Sequence, residues 1–303
     1  MVDTIDHPLR EAVQRRRTLT AHHTLGDLIA SYRSSSRYTF LRARTRRDYD
    51  QVLDHLEAAL GPVAVASIKR PQVIAQMEAN AHRTRFANYV QQVLSVLFEH
   101  AIDLGWINHN PAKSVRKLKT PAERRAPHHP WTDAAIATFR KRANPTARLI
   151  FELGIGSVQR PGDWPKFRWS DYDGEALRIT QSKTGVSLWL PCTLELQRTL
   201  DTTPRTGITI LADGAGRPFS YFKTARIMRE ERTRLGLLDH DLHALRYRGV
   251  QELAHAGCTD DEIAAFSGHA SMAMIRKYAG AARQEMRARS AIAKRVERYP
   301  LTA

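Results

Sequence analysis

Cysteine, long apolar runs and clustered acidic residues are all scarce in this chain. The two cysteines among 303 residues, Cys192 and Cys258, have neither a zinc-binding spacing nor enough partners for a disulfide framework. No stretch stays apolar long enough to cross a bilayer, and the N-terminus lacks the apolar segment of a secretory signal. These absences predict a protein of the reducing cytoplasm without a membrane partner.

Metal ligands are equally sparse. The carboxylates between residues 171 and 175 are typical of a surface turn before a strand rather than of a magnesium site. Neither the His128–His129 pair nor His240 with His243 has a third ligand that would complete a zinc site. The sequence therefore predicts no metal ion and no other cofactor.

Basic residues are what the chain has in excess. It has 47 lysines and arginines against 31 acidic residues, a formal net charge of +16. Such a chain is expected to bind a polyanion, and double-stranded DNA is the first candidate. A basic surface that binds nothing is the alternative.

The spacing of apolar residues divides the chain into two folded parts. Residues 1–21 are a basic tail that is too short to fold as a separate domain. Residues 22–111 contain about four helical stripes, the first behind a capping box at Thr24 and Asp27, and predict a small all-helical domain. Residues 112–130 are basic and interrupted by prolines, which predicts a linker along a phosphate backbone or, alternatively, in solvent.

Residues 131–303 predict a second domain that is mainly helical with a small antiparallel sheet. Two strands, 176–180 and 187–191, are expected around a turn at 182–185. Helices are expected at 134–141, 146–153, 221–235, 243–256, 260–266, 271–278 and, as a separate amphipathic helix, 281–296.

One set of residues in this domain has the chemistry for metal-free attack of a tyrosine on a DNA phosphate. Arginine can neutralise the developing charge by donating two hydrogen bonds to phosphate oxygens. A phenol with a pKa of about 10 is a poor nucleophile, so cations near the tyrosine are expected to stabilise its phenolate. Each residue also has a structural alternative, such as a core tyrosine or a solvated lysine. The set is Arg160, Lys183, His243, Arg246, His269 and Tyr278.

The order and spacing of this set resemble the tyrosine recombinases, the phage integrase family. The stretch before residue 111 also resembles the helical core-binding domain of that family. The motifs that carry the resemblance are Gly154-Ile155-Gly156-Ser157-Val158-Gln159-Arg160-Pro161-Gly162-Asp163 with Phe167-Arg168-Trp169-Ser170-Asp171, Gln181-Ser182-Lys183-Thr184-Gly185, His243-Ala244-Leu245-Arg246, and Ser267-Gly268-His269 followed by Tyr278.

The resemblance implies a fold and a mechanism. The fold would be a SAM-like core-binding domain followed by a mixed α/β catalytic domain. Tyr278 would attack the scissile phosphate, form a 3′-phosphotyrosyl link and free a 5′-hydroxyl without metal or ATP. The further roles implied are phosphate binding by Arg160 and Arg246 with support from His269, general-base catalysis by His243 and general-acid catalysis by Lys183.

The resemblance also implies partners. Relatives assemble as homo-tetramers on two DNA sites, with a monomer as the alternative off DNA, and accessory DNA-bending or directionality factors can take part. The predicted helix 281–296 would dock on a neighbouring subunit or pack on its own domain. A nucleoid-associated location follows. Expected DNA contacts are Arg42, Arg44, Arg46, Arg47, Arg83, Arg85, Lys113, Arg116, Lys117 and Lys119.

The sequence departs from the family pattern at three places. Asp163 stands where glutamate is frequent, Tyr247 and Arg248 stand where His-Thr is frequent, and Pro161 directly follows the first arginine.

The first hypothesis for the function is a site-specific recombinase, an integrase of a phage or genomic island. The alternatives are a type IB topoisomerase-like activity and a non-catalytic DNA-binding protein on the same scaffold. A nucleophilic Cys258 is disfavoured because the sequence places no base beside it.

Overall fold

The computed structural model describes residues 23–124, 129–269 and 271–299. The chain divides into two compact units, Met1–Ala126 and Pro127–Ala303. The predicted tail 1–21 and His128 lie outside the described residues. None of the helices in the described ranges combines the length and the apolar character that crossing a membrane requires.

The first unit is all helical. Its helices are α1 (Leu25–Ser34), α2 (Ser36–Thr39), α3 (Ala43–Leu60), α4 (Arg70–Ala79) and α5 (Thr84–Asp103). The predicted capping box opens α1: the Thr24 backbone N–H donates to Asp27 Oδ2 at 2.9 Å, and the Asp27 N–H donates to Thr24 Oγ1 at 3.2 Å. This reciprocal pair satisfies two N–H groups that a helix start leaves without partners.

The first part of the predicted linker packs on this unit. Ala112 is fully buried and Val115 is 8% exposed, both within the core that α5 dominates. The Gln91 side-chain amide donates to the Ala112 carbonyl oxygen at 2.8 Å. This stretch of the predicted linker is therefore part of the core of the first unit. Isolated apolar residues anchor it without forming a helical period.

The second unit has the predicted mixture of helices and one small sheet. Strands β1 (Ala176–Thr180) and β2 (Ser187–Pro191) pair antiparallel, with Arg178 opposite Trp189. Its helices are α6 (Asp133–Arg142), α7 (Pro145–Ser157), α8 (Leu194–Thr202), α9 (Tyr221–Leu235), α10 (Leu242–His255), α11 (Asp260–Ser267) and α12 (Met272–Arg298).

Two features of this unit differ from the sequence prediction. Helix α8 was not predicted, because only Leu196 and Leu200 of its residues are buried and two leucines give too weak a period. The expected separate helices 271–278 and 281–296 form one continuous helix, α12. Gly280 does not break it, since a single glycine inside a helix costs only about 1 kcal/mol relative to alanine.

Helix α7 lies close to α10 and positions the segment that follows it. A Cβ at Gly154 would lie 2.7 Å from Leu245 Cδ1, so glycine permits this approach. The helix ends at Val158, whose φ of 55° is left-handed. That conformation costs a β-branched residue roughly 1–2 kcal/mol, and the surrounding packing must maintain it. The chain thereby turns sharply into Gln159 and Arg160.

Candidate active site

Arg246 lies at the centre of the candidate site. It is 1% exposed, on the buried face of α10. Its Nη1 donates to the Val158 carbonyl oxygen at 2.9 Å, and its Nη2 donates to the Ser267 carbonyl oxygen at 3.0 Å and contacts His269 Nε2 at 2.9 Å. Burial and the neighbouring charge of Arg160 lower the pKa of Arg246 to about 10. The guanidinium therefore stays cationic at neutral pH.

His269 is held in one tautomer by its neighbours. Ser267 Oγ donates its proton to the Ile263 carbonyl oxygen at 2.5 Å and lies 2.6 Å from His269 Nδ1. The hydroxyl has only one proton, so we infer that Nδ1–H donates to it and that Nε2 accepts from Arg246. Burial, and then the charges of Arg246 and Arg160, lower the pKa of His269 to about 3. The imidazole is neutral at physiological pH.

Tyr278 lies on α12 against α10. It is 5% exposed, and its phenol oxygen is 3.4 Å from His243 Nε2. The Tyr247 ring lies across the Tyr278 ring, with centroids 3.7 Å apart. The apolar face of α12 that includes Ile275 packs in the core that α10 and α11 share. Tyr278 is thus docked in the site of its own chain.

The phenol is less acidic than the sequence suggested. Burial raises the pKa of Tyr278, and Tyr247 raises it further, although Arg246 and Lys277 act in the opposite direction. The two cations favour the phenolate, as expected, but they do not bring the pKa of Tyr278 below its usual value. Loss of hydration in the buried position outweighs the attraction of the two cations.

Arg160 is positioned through a residue that the sequence analysis did not single out. Its Nη1 donates to Gln181 Oε1 at 3.1 Å, and Thr184 Oγ1 donates to the same oxygen at 2.7 Å. Gln181 Nε2 donates to Gln159 Oε1 at 2.6 Å and to the Ser267 carbonyl oxygen at 2.9 Å. The sequence points to these two glutamines only through their positions. Gln159 lies in the motif of Arg160, and Gln181 lies in the motif of Lys183.

The hairpin that carries Lys183 is anchored at its base. The Ser182 backbone N–H donates to Asp163 Oδ1 at 3.0 Å, and Lys166 Nζ donates to Ser182 Oγ at 2.7 Å. Asp163 is 3% exposed, so the aspartate at this position serves as a buried anchor. Lys183 itself is exposed at the hairpin tip. The contacts therefore fix the hairpin and leave the lysine side chain at its solvent-exposed end.

The structure thus brings four of the six predicted catalytic residues into two contacting pairs and links a fifth, Arg160, to the site. Arg246 contacts His269, Tyr278 contacts His243, and Arg160 is linked to the Ser267 turn through Gln181. Pro161 begins a turn at 161–163. In the described ranges, no three histidine, cysteine or acidic side chains are grouped as metal ligands would be.

Several predicted DNA contacts gather in the first unit. A cavity of about 1010 Å³ is lined by residues of α3 and α5 and of the segments before and after α5. Arg46 lies apart from the lining and is half-buried near the Tyr38 ring. Lys113, Arg116 and Lys119 are exposed outside the lining. The basic residues that line the cavity are Arg44, Arg83, Arg85, Lys117 and Arg124.

Comparison with known proteins places the second unit in a family. The phage integrase family model matches residues 133–285, half of the chain and all six predicted catalytic residues. The integrase of Escherichia phage HK022 is 27% identical over 161 residues, 52% of this chain and 44% of that protein. The integrase of Enterobacteria phage 434 is 25% identical over 258 residues, 78% of this chain and 70% of that protein.

Solved structures show the same fold. A lambda integrase dimer bound to a COC′ core site has a TM-score of 0.75 at 23% identity, covering 88% of this chain and 80% of that chain. A lambda integrase tetramer bound to a Holliday junction has a TM-score of 0.73 at 23% identity, covering 85% and 77%. The predicted fold class is thereby confirmed, and with the match over residues 133–285 the chain belongs to the phage integrase family.

Proposed function

We propose that this protein is a site-specific DNA recombinase that cleaves and rejoins DNA through a 3′-phosphotyrosyl intermediate. The observation that carries the proposal is the 3.4 Å contact between the Tyr278 phenol oxygen and His243 Nε2, beside the buried pair of Arg246 and His269. A nucleophile, a proton acceptor and a fixed cation are the parts that phosphoryl transfer to a tyrosine needs.

His243 acts as the general base. A phenol whose pKa is raised must lose its proton as it attacks, and His243 Nε2 is the acceptor that lies beside it. The bond from Tyr278 Oη to phosphorus forms while the bond from phosphorus to the 5′-oxygen breaks. Lys183 donates the proton that the departing 5′-oxygen takes up. Attack by a new 5′-hydroxyl reverses the step and needs no ATP.

The two arginines hold the phosphate. Arg246 retains its charge because its pKa, lowered to about 10, stays well above neutral pH. The neutral His269 accepts from Arg246 and fixes the plane of its guanidinium. Arg160 donates a hydrogen bond to the neutral Gln181 amide, which leaves its positive charge uncancelled. It therefore supplies a second charge for the phosphate.

The DNA and the assembly are part of the proposal. The lambda integrase structures described above hold core-site DNA as a dimer and a Holliday junction as a tetramer. We extend this to a homo-tetramer of the present chain on two DNA sites, acting in the cytoplasm as the integrase of a phage or genomic island. The basic cavity of the first unit supports contact with the phosphate backbone. The exposed stretch of α12 after residue 286 supports docking on a neighbouring subunit.

The experiment that tests the proposal traps the protein on DNA. A nicked suicide duplex from the genomic flank of the gene is incubated with the protein and resolved on a denaturing gel. The native chain should give a protease-sensitive covalent adduct that Tyr278→Phe lacks. Tyr299→Phe is the matched control, because Tyr299 is 74% exposed near the end of the same helix.

Each other outcome favours an alternative. Relaxation of supercoils on DNA without a recombination site would favour a type IB topoisomerase-like activity. Salt-sensitive binding without an adduct, on this flank and on the opposite one, would favour a non-catalytic DNA-binding protein. Equal adduct formation by Tyr278→Phe would exclude Tyr278 as the nucleophile.

A further inference from the structure

Gln181 forms four hydrogen bonds in the interior of the second unit. It is 0% exposed. Its Oε1 accepts from Arg160 and Thr184, and its Nε2 donates to Gln159 and to the Ser267 carbonyl oxygen. These bonds fix which end of the amide carries oxygen, since only Nε2 can donate to a carbonyl. The side chain thus has one orientation and no spare hydrogen-bonding capacity.

We propose that Gln181 is a positioning residue that aims Arg160 at the scissile phosphate and ties it to the two other motifs of the site. This rests on the proposed function, because the phosphate is the group that Arg160 would bind. Gln181 does not touch the reacting atoms. It acts on the reaction through Arg160.

The chemistry of the amide fits this role. An amide oxygen accepts a hydrogen bond from the Arg160 guanidinium without cancelling its charge. A carboxylate at the same position would form an ion pair with Arg160 and reduce its attraction for the phosphate anion. It would also face the Ser267 carbonyl oxygen and Gln159 Oε1 with a second acceptor, where a donor is needed.

The surroundings of Gln181 connect three segments of the chain. The Gly185 backbone N–H donates to the Gln181 carbonyl oxygen at 2.8 Å, which closes the lysine hairpin. The side chain reaches both the turn before Arg160 and the Ser267 turn. A Cβ at Gly268 would lie 2.4 Å from Gln181 Nε2, so the third segment is packed directly against the amide. A shift of Gln181 therefore shifts Arg160.

Substrate analogues distinguish this role from a structural one. Single-turnover strand cleavage is measured on three nicked duplexes from the same genomic flank. One has a normal scissile phosphate. The second has a methylphosphonate, which removes the charge that arginine must balance. The third has a 5′-bridging sulfur, whose thiolate leaves without a general acid. Arg160→Ala and Lys183→Ala provide the reference patterns.

Gln181→Met and Gln181→Glu are both tested. Each should cleave the normal phosphate about 10- to 100-fold more slowly, the range expected when a charged group is displaced by about 1 Å. On the methylphosphonate duplex, each variant should cleave less than about threefold more slowly than the native chain, as is expected for Arg160→Ala. Thr180→Val, on the exposed face of the same hairpin, is the control and should behave as the native chain.

The opposite patterns would overturn the proposal. An equal deficit on all three duplexes would mean a purely structural role. Rescue by the bridging sulfur, as for Lys183→Ala, would mean that Gln181 acts through the lysine hairpin. If one variant does not fold, the other decides. Absence of cleavage by the native chain on all three duplexes would count against the proposed function itself.

Discussion

The phenol oxygen of Tyr278 lies 3.4 Å from His243 Nε2 although the two residues are 35 positions apart in the chain. Burial raises the pKa of that phenol above its usual value of 10.0. Fewer than about one in a thousand such phenols is ionised at pH 7. The proton acceptor beside Tyr278 should therefore control the rate of cleavage.

Replacement of that acceptor should change both the rate and its pH dependence. His243→Ala should lower single-turnover cleavage at pH 7 by about 100- to 10,000-fold. Its rate should rise roughly tenfold per pH unit up to at least pH 9, since only the phenolate could then attack. His255→Ala, at an exposed position on the same helix, is the control. A His243→Ala rate that does not depend on pH would contradict this role.

Arg246→Lys should impair both stability and cleavage. A lysine ammonium cannot bond the Val158 and Ser267 carbonyl oxygens and His269 together, as the planar guanidinium does. Buried carbonyl groups left without donors should cost about 2–3 kcal/mol in the free energy of unfolding, measured by urea denaturation. Arg276→Lys should cost little, because the Arg276 side chain is 75% exposed. Equal stability of the two variants would argue against the observed bonding.

Two helix-capping glycines provide a matched pair of substitutions. Gly268 and Gly236 have φ values of 66° and 71°, so alanine should cost about 1–2 kcal/mol at either position. A Cβ at Gly268 would also lie 2.4 Å from Gln181 Nε2, whereas at Gly236 nothing lies within 4 Å. Gly268→Ala should therefore cost about 1–3 kcal/mol more in urea denaturation and reduce cleavage. Equal losses would mean that Gln181 moves aside freely.

His269 should make stability depend on pH. Its folded pKa of about 3 lies below the ordinary 6.5, so the unfolded chain binds more protons between these values and stability falls as pH falls through that window. From pH 7 to pH 5 the loss should be about 1–2 kcal/mol. Urea denaturation of His269→Gln should show a correspondingly weaker pH dependence than that of the native chain. A dependence that His269→Gln leaves unaltered would contradict this assignment.

Local patterns predicted much of the fold. Strands 176–180 and 187–191 were predicted to the residue, because β-branched and aromatic residues flank a turn that contains Gly185. Tertiary packing decided the differences. Ala112 and Val115 are buried singly, and α8 buries only two leucines, so neither segment has a clear periodic signal.

The candidate site shows the same limit. Arg160 and Tyr278 were identifiable because their spacing is typical of the family. The role of Gln181 depends on hydrogen bonds to residues 21 and 86 positions away, and no local pattern records such bonds. The raised pKa of Tyr278 depends on burial that only the packing of α12 creates. The sequence therefore indicated the reacting groups more readily than the groups that orient them.

The continuity of α12 also has a mechanical consequence. From Tyr278 to Arg298 the helix advances by about 30 Å at 1.5 Å per residue, without a break at Gly280. Arg283 still bonds to Asp260 and to the Cys258 carbonyl oxygen, and the helix is exposed throughout after residue 286. Because this exposed end and Tyr278 belong to one unbroken helix, we expect a partner that displaces the end to displace the tyrosine as well.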